Sequence, residues 1–232
     1  MRVFLFWGHT TMRKLLFPLI IGLGGIVVLL WLGFWQMDRL TWKQGVIAEI
    51  DARVRADAVP LPAMPNPEDD NYLSVIMQGA ATGEEIRFLD SGTAAGTGHR
   101  IISAFVTKDG RRVMLDQGLL PLYAEKGEPL TDDVTVQGNL NWPDDMSEQA
   151  PEGDEWYARD VPAMAAALDT EPVLVVLSAA SEYDPRLSPL PISTRNIKSD
   201  HLEYAITWFL LAVVWFSMTM FYMARTLRRK ED

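Results

Sequence analysis

The chain of 232 residues contains no cysteine. That excludes structural disulfides, thiolate metal sites, copper carriage by paired cysteines and covalent haem attachment through a Cys pair. Histidine is scarce too, limited to His9, His99 and His201. No Ser-His-Asp set emerges from them: His9 precedes the first apolar run, and His99 lies in a glycine-rich turn without an obvious partner. Leu89-Asp90-Ser91-Gly92-Thr93 imitates the hydrophobic-Asp-Ser/Thr-Gly element of aspartic proteases. That chemistry needs two aspartates sharing a proton, and no second copy of the element occurs. Only a homodimer would rescue it, and an edge turn after a strand explains it better. The chain also lacks any internal repeat.

Charge is missing from two long stretches, Leu15–Gln36 and Ala205–Met223. Each is long enough to cross a hydrocarbon core of about 30 Å at about 1.5 Å per residue. The first run ends in Trp31, Gly33, Phe34, Trp35 and Gln36, with no Ala-x-Ala, so it reads as an uncleaved anchor rather than a signal peptide. Basic residues are scarce between the runs. Residues 37–204 hold 14 bases and 29 acids, whereas Arg2, Arg13 and Lys14 precede the first run and Arg225, Arg228, Arg229 and Lys230 follow the second. Cytoplasmic flanks are enriched in Lys and Arg, so both ends are expected in the cytoplasm and the acidic middle outside it. An acidic domain repels nucleic acid and anionic headgroups, so no nucleic-acid partner is expected. The short N-terminal tail leaves no room for an Arg- and Ser-rich presequence. The expected setting is therefore a bacterial inner membrane, crossed twice, with the domain in the periplasm.

The pattern predicts an α+β membrane protein: two transmembrane helices flanking a mostly antiparallel β domain with one short helix. The expected divisions are 1–14 (cytoplasmic tail), 15–36 (first span), 37–70 (helical extension to about Ala58, then a Pro-rich linker), 71–200 (periplasmic β-rich domain), 201–223 (second span) and 224–232 (cytoplasmic tail). Strands are expected over Tyr72–Ala80, Glu85–Asp90, Arg100–Thr107, Arg112–Asp116, Val134–Leu140, Pro172–Ser178 and Ile192–Ile197, with Lys108-Asp109-Gly110 as a hairpin turn. Asp160–Asp169 reads as a short helix, with Asp160 as its N-cap and Met164, Ala165 and Leu168 on one face.

His201 is the most informative residue. Asp200 is placed to cap the second membrane helix, which puts His201 in its first turn at the outer interface. Tyr204, Ala205, Trp208, Ala212 and Trp215 follow on one face. An imidazole above aromatic and small residues suits a planar apolar ligand that needs an axial nitrogen, as haem does. An interfacial histidine within an aromatic belt is the other reading. Trp35, Arg39 and Trp42 form a stripe at the end of the first span. Arg39 and Lys43 suit haem propionates, or equally lipid phosphates. Met218, Met220 and Met223 offer thioethers, but at the cytoplasmic end, where lipid-facing packing accounts for them.

Four segments in order carry a resemblance. They are Gly33-Phe34-Trp35-Gln36-Met37-Asp38-Arg39-Leu40-Thr41-Trp42-Lys43; Gly98 to Pro121, with Asp116-Gln117-Gly118-Leu119-Leu120-Pro121 at its end; Val136-Gln137-Gly138-Asn139-Leu140; and Asn196 to Phe209. Together they resemble the cytochrome c oxidase assembly family named after the first gene of the Surfeit locus. The chain departs from that family's pattern at His99, Gln117 and Leu119, and by two extra residues between Asn196 and His201. The resemblance implies an assembly factor for haem-copper oxidase rather than an enzyme: a chaperone-like, haem a-binding protein of respiratory-chain biogenesis that helps subunit I acquire or keep its haem a. It implies His201 as the axial iron ligand, and subunit I, haem a synthase and membrane lipid as partners. Trp35, Arg39, Tyr204 and Trp208 are the supporting residues expected from position. The alternative is a scaffold that stabilises a subunit I intermediate without touching cofactor.

Overall fold

A computed structural model describes residues 7–93, 95–124, 133–145, 151–182, 184–195 and 197–228. The two ends of the expected tails, 1–6 and 229–232, and Asn196 of the fourth motif lie outside the described residues. The chain divides into two units. One takes in the chain up to Ala48 and from Asn196 onward; the other is Glu49–Arg195.

The first unit is built on two long helices, α1 (Trp7–Val54) and α4 (His201–Arg228). At about 1.5 Å per residue they measure about 72 Å and about 42 Å, more than a bilayer core requires. Both are long and apolar enough to span a membrane. The helix α1 starts within the expected N-terminal tail and carries Pro18 in its interior. It ends at Val54, somewhat before Ala58, after Glu49–Arg53 and Asp51–Arg55 ion pairs at i,i+4 spacing.

On α1 the less exposed positions in this region include Gly22, Ile26, Leu29, Gly33, Gln36, Leu40 and Lys43. Their alternating spacing of four and three is the repeat of a coiled-coil seam. On α4 the facing row is His201, Ala205, Trp208, Ala212, Trp215 and Thr219, of which Ala205 and Ala212 are buried and Trp215 is exposed. The helices run antiparallel, with Gly22 at Thr219 and Gly33 at Phe209. A Cβ on Gly22 would lie 2.3 Å from Thr219 Cγ2, and one on Gly33 2.5 Å from Phe209 Cε1. Glycine therefore sets the closeness of the pair. The Trp215 indole donates to Gly22 O at 3.1 Å, and Phe34 meets Phe209 edge to face with centroids 5.4 Å apart.

The second unit is a small barrel. Its strands in chain order are β1 (Val59–Pro60), β2 (Ser74–Thr93), β3 (Gly96–Thr107), β4 (Arg112–Pro121), β5 (Val134–Leu140), β6 (Glu155–Trp156) and β7 (Leu174–Ala180). The sequence β2-β3-β4-β7-β5 closes on itself through a β2–β5 pairing. Only β4–β7 is parallel within that ring. Closure removes the free edges a five-stranded sheet would otherwise expose.

The long strand β2 makes closure possible. Its first half, Ser74–Gly79, pairs with β5, and its second half pairs with β3. A register shift between Ala81 and Glu85, with Gly83 at φ +85°, bends the strand between the two. The two strands expected over 72–80 and 85–90 are therefore one bent strand. Val59–Pro60 of the expected linker instead pairs with β2 as a short edge strand, and α2 (Pro67–Asp70) follows, capped by Asn66.

Val75, Met77, Phe105, Val113, Leu115, Val136, Leu140, Val175 and Leu177 share one core. Side chains alternate along each strand, so a second set faces the other way. There Ile86, Ile102, Ala104, Met114 and Leu174 pack against Trp156 and helix α3 (Val161–Leu168). As expected, Asp160 caps α3, its carboxylate accepting from Ala163 N at 3.1 Å, and Met164, Ala165 and Leu168 are buried. The strand expected over 192–197 does not form among the described residues. Thr194 there donates to the Asp51 carboxylate at 3.1 Å, fixing the segment to the end of α1 by a side chain.

Candidate functional site

Lys198-Ser199-Asp200, outside any helix or strand, lead into α4. Asp200 O accepts from Tyr204 N at 3.1 Å, and the Asp200 carboxylate pairs with Lys198 Nζ at 3.2 Å. His201 thus opens the first turn, half-buried, where the sequence placed it. Its Nδ1 lies 2.9 Å from Gln36 Oε1 on α1. Two turns further along α1, Lys43 Nζ donates to Lys198 O. One turn the other way, Gly33 receives Phe209. The imidazole is therefore held between two fixed points of the helix pair. Ser199 Oγ, two residues from it, is buried without a hydrogen-bond partner among the described residues.

The supporting residues named from the sequence occupy different places. Arg39 stacks its guanidinium over Trp42, 3.9 Å from the ring centroid, a cation–π contact at i,i+3 spacing. Trp35 and Tyr204 are exposed at 50% and 56%. Trp208 is half-buried, and Ala205 and Ala212, the small residues of the face read below His201, are buried along the seam with α1. Gln36 touches His201, whereas Trp35 lies about 100° round the helix from it. In the sequence Gln36 stands only as the end of the first uncharged run and as part of the Gly33–Lys43 segment. Its role depends on a partner 165 residues away, which no local pattern reports.

Met218 lines an apolar groove at the far end of the pair with Phe17, Pro18, Ile21, Trp215 and Tyr222. It lies 17 residues along α4 from His201, about 25 Å. Met218 and Met220 are exposed, as lipid-facing packing requires. Among the described residues no group of three His, Asp or Glu side chains is placed to hold a metal ion.

The central motifs resolve into packing. Asp116 is 1% exposed and Arg100 9%. Arg100 Nε donates to Asp116 Oδ2 at 2.9 Å, and Arg100 Nη1 reaches Asp90 at 3.4 Å. Burial works against the Arg100 charge, but the two carboxylates outweigh it and hold its pKa above the ordinary value. Asp90, the aspartate of the protease-like element, is thereby committed to an ion pair. Asp116 Oδ1 also accepts from Gly118 N at 3.1 Å. Gly118 has φ +115°, and a Cβ there would lie 2.3 Å from Ser188 O, so only glycine fits. Gln117 donates to Ser103 Oγ at 2.7 Å, and Leu119 is fully buried. In β5, Asn139 donates to Val54 O at 3.1 Å and Tyr72 O at 3.2 Å. His99 Nε2 stands 3.8 Å from Glu155.

Comparison with known proteins agrees with this layout. The model of the SURF1 family matches residues 23–213, which take in the barrel, most of α1 and the first half of α4. Surfeit locus protein 1 of Mus musculus is 26% identical over 206 residues, covering 77% of this chain and 66% of that protein. A SURF1-like protein of Caenorhabditis elegans is 29% identical over 217 residues, covering 79% and 67%. Surfeit locus protein 1 of Homo sapiens is 27% identical over 218 residues, covering 80% and 72%. The match thus spans about two thirds of the length of the first two relatives.

Proposed function

We propose a function from one premise: the chain belongs to the SURF1 family. It acts as a membrane-anchored assembly factor for haem-copper cytochrome c oxidase. It binds haem a at the outer end of the α1–α4 pair and assists its insertion into, or retention by, subunit I. The observation that carries this reading is the His201 imidazole, half-buried and held on one nitrogen at the end of the seam. Such a donor fits the axial position of a haem iron, which supplies a redox-active centre when bound. Arg39 and Lys43, about one and two turns beyond Gln36 on α1, offer cations for propionates, and Trp35, Tyr204 and Trp208 offer aromatic surface. Haem a synthase and subunit I are the partners this role requires. Cells lacking the chain are expected to lose most oxidase activity and the haem a absorption of their membranes, with both restored by the wild-type chain. Unchanged haem a content in subunit I would contradict the proposal.

The scaffold reading draws on the same seam. Gly22, Gly25 and Gly33 let Thr219, Trp215 and Phe209 of α4 pack tightly against α1, so the protein's own side chains fill the seam there, which suits a pair whose role is helix packing.

The setting we propose is a bacterial inner membrane with both ends cytoplasmic and the barrel periplasmic. It rests on the Lys and Arg flanks and the acidic middle. Reporter fusions after Asp145 are expected to read periplasmic, and fusions at the C-terminus cytoplasmic. A cytoplasmic signal at Asp145 would reverse the topology.

A further inference from the structure

We infer that Gln36 is a positioning residue that fixes the tautomer of His201, placing the ring hydrogen on Nδ1 and leaving Nε2 with its lone pair free. For its purpose this rests on the haem-binding reading, although the tautomer itself is a property of the protein alone. A neutral imidazole carries one hydrogen on either nitrogen, and the hydrogen bond of one nitrogen decides the state of the other. An amide oxygen only accepts. With Gln36 Oε1 at 2.9 Å from Nδ1, Nδ1 must be the donor. The nitrogen left over is Nε2, and its lone pair is what a metal ligand needs.

The contact is built into the helix pair. Gly33, three residues before Gln36, lets the Phe209 ring approach to where a Cβ would be 2.5 Å away. Lys43, seven residues after it, holds Lys198 O just ahead of α4. Gln36 sits at a seam position between those anchors, so its amide is presented to α4 instead of to solvent. Histidines that ligate metals commonly donate their second N–H to such a partner. The partner orients the ring and raises its basicity, and losing it typically weakens metal affinity about 10–100-fold.

The test uses the full chain in lipid nanodiscs without haem, labelled with 15N-histidine. His201 is assigned by the signal lost in His201→Ala, and long-range 1H–15N correlations read the tautomer. The wild type is expected to show Nδ1–H with bare Nε2. Gln36→Met, of similar length but without an acceptor, should move the population towards Nε2–H. Gln36→Glu, which keeps an acceptor, should restore the wild-type pattern. Helix content by circular dichroism should be the same in all three. An Nε2–H ring in the wild type, or one unchanged in Gln36→Met, would overturn the inference. Haemin titrated into the same samples reads the consequence separately, with Gln36→Met about 10–100-fold weaker than wild type and Gln36→Glu close to it. If the tautomers behave as expected but haemin binds none of the three, the positioning role stands and the haem-binding function falls.

Discussion

His201→Ala is expected to lower haem a occupancy at least tenfold while leaving the protein inserted and helical. The change removes the nitrogen proposed as the axial ligand, for which the site has no equal. The chain has no cysteine, and the nearby Glu203 and Tyr204 are poor haem ligands by comparison. Even losing a group that merely orients a ligand costs about 10–100-fold in affinity, so losing the ligand should cost no less. Apolar contact with Trp208 should retain some porphyrin, leaving a weak and shifted Soret band rather than none. Insertion is a separate matter. The Gln36–His201 hydrogen bond contributes about 1 kcal/mol, whereas the apolar run beyond Ala205 contributes about 0.3–0.6 kcal/mol for each Leu, Ile, Phe or Val. Protein yield in membranes should be unchanged. Equal haem stoichiometry and identical spectra in variant and wild type would remove His201 as the ligand.

Asp116→Ala should destabilise the barrel unit by about 3 kcal/mol, the lower end of the cost of orphaning one partner of a buried ion pair. Arg100 would keep Asp90 at 3.4 Å but lose its shorter bonds to Asp116. Gly118 N, at the turn packed against Ser188, would lose its acceptor too. For a unit of this size, about 3 kcal/mol corresponds to about 6–12 °C in Tm. Thermal unfolding of the full chain in detergent, followed by circular dichroism in the β region, measures it. Arg100→Met combined with Asp116→Leu should recover much of the loss, because apolar residues of similar volume tolerate burial that an unpaired charge does not. A single variant melting with the wild type would show that the pair adds nothing to the barrel.

The two long apolar helices were legible in the sequence because a bilayer imposes a length and an absence of charge that few other constraints produce. The helix α3 was legible for a local reason: Asp160 and the apolar triplet Met164, Ala165 and Leu168 lie within one short segment. Barrel closure was not. It depends on the parallel register of Met114 with Leu174 and the antiparallel register of Ser74 with Asn139, both far apart in the chain. The interruption at Thr82-Gly83 looked like the gap between two strands, yet there the backbone bends without leaving the sheet. Ile192–Ile197 has strand-like composition and no strand beside it to pair with among the described residues. At the site, the position of His201 at the head of α4 followed from the apolar run after it, whereas the Asp200 carboxylate, expected to cap the helix, pairs with Lys198. Its partner did not, because Gln36 acquires meaning only when α4 returns antiparallel along α1.

The central claim is that this protein holds haem a through His201, and the absorption spectrum of the wild-type protein tests it most directly. Purified in mild detergent from cells that make haem a, the protein should carry a Soret band, with haem a recovered on extraction in a fixed ratio to protein. Protein that co-purifies with subunit I yet carries no haem above the level of an unrelated two-span membrane protein would contradict the claim and leave a scaffold in its place.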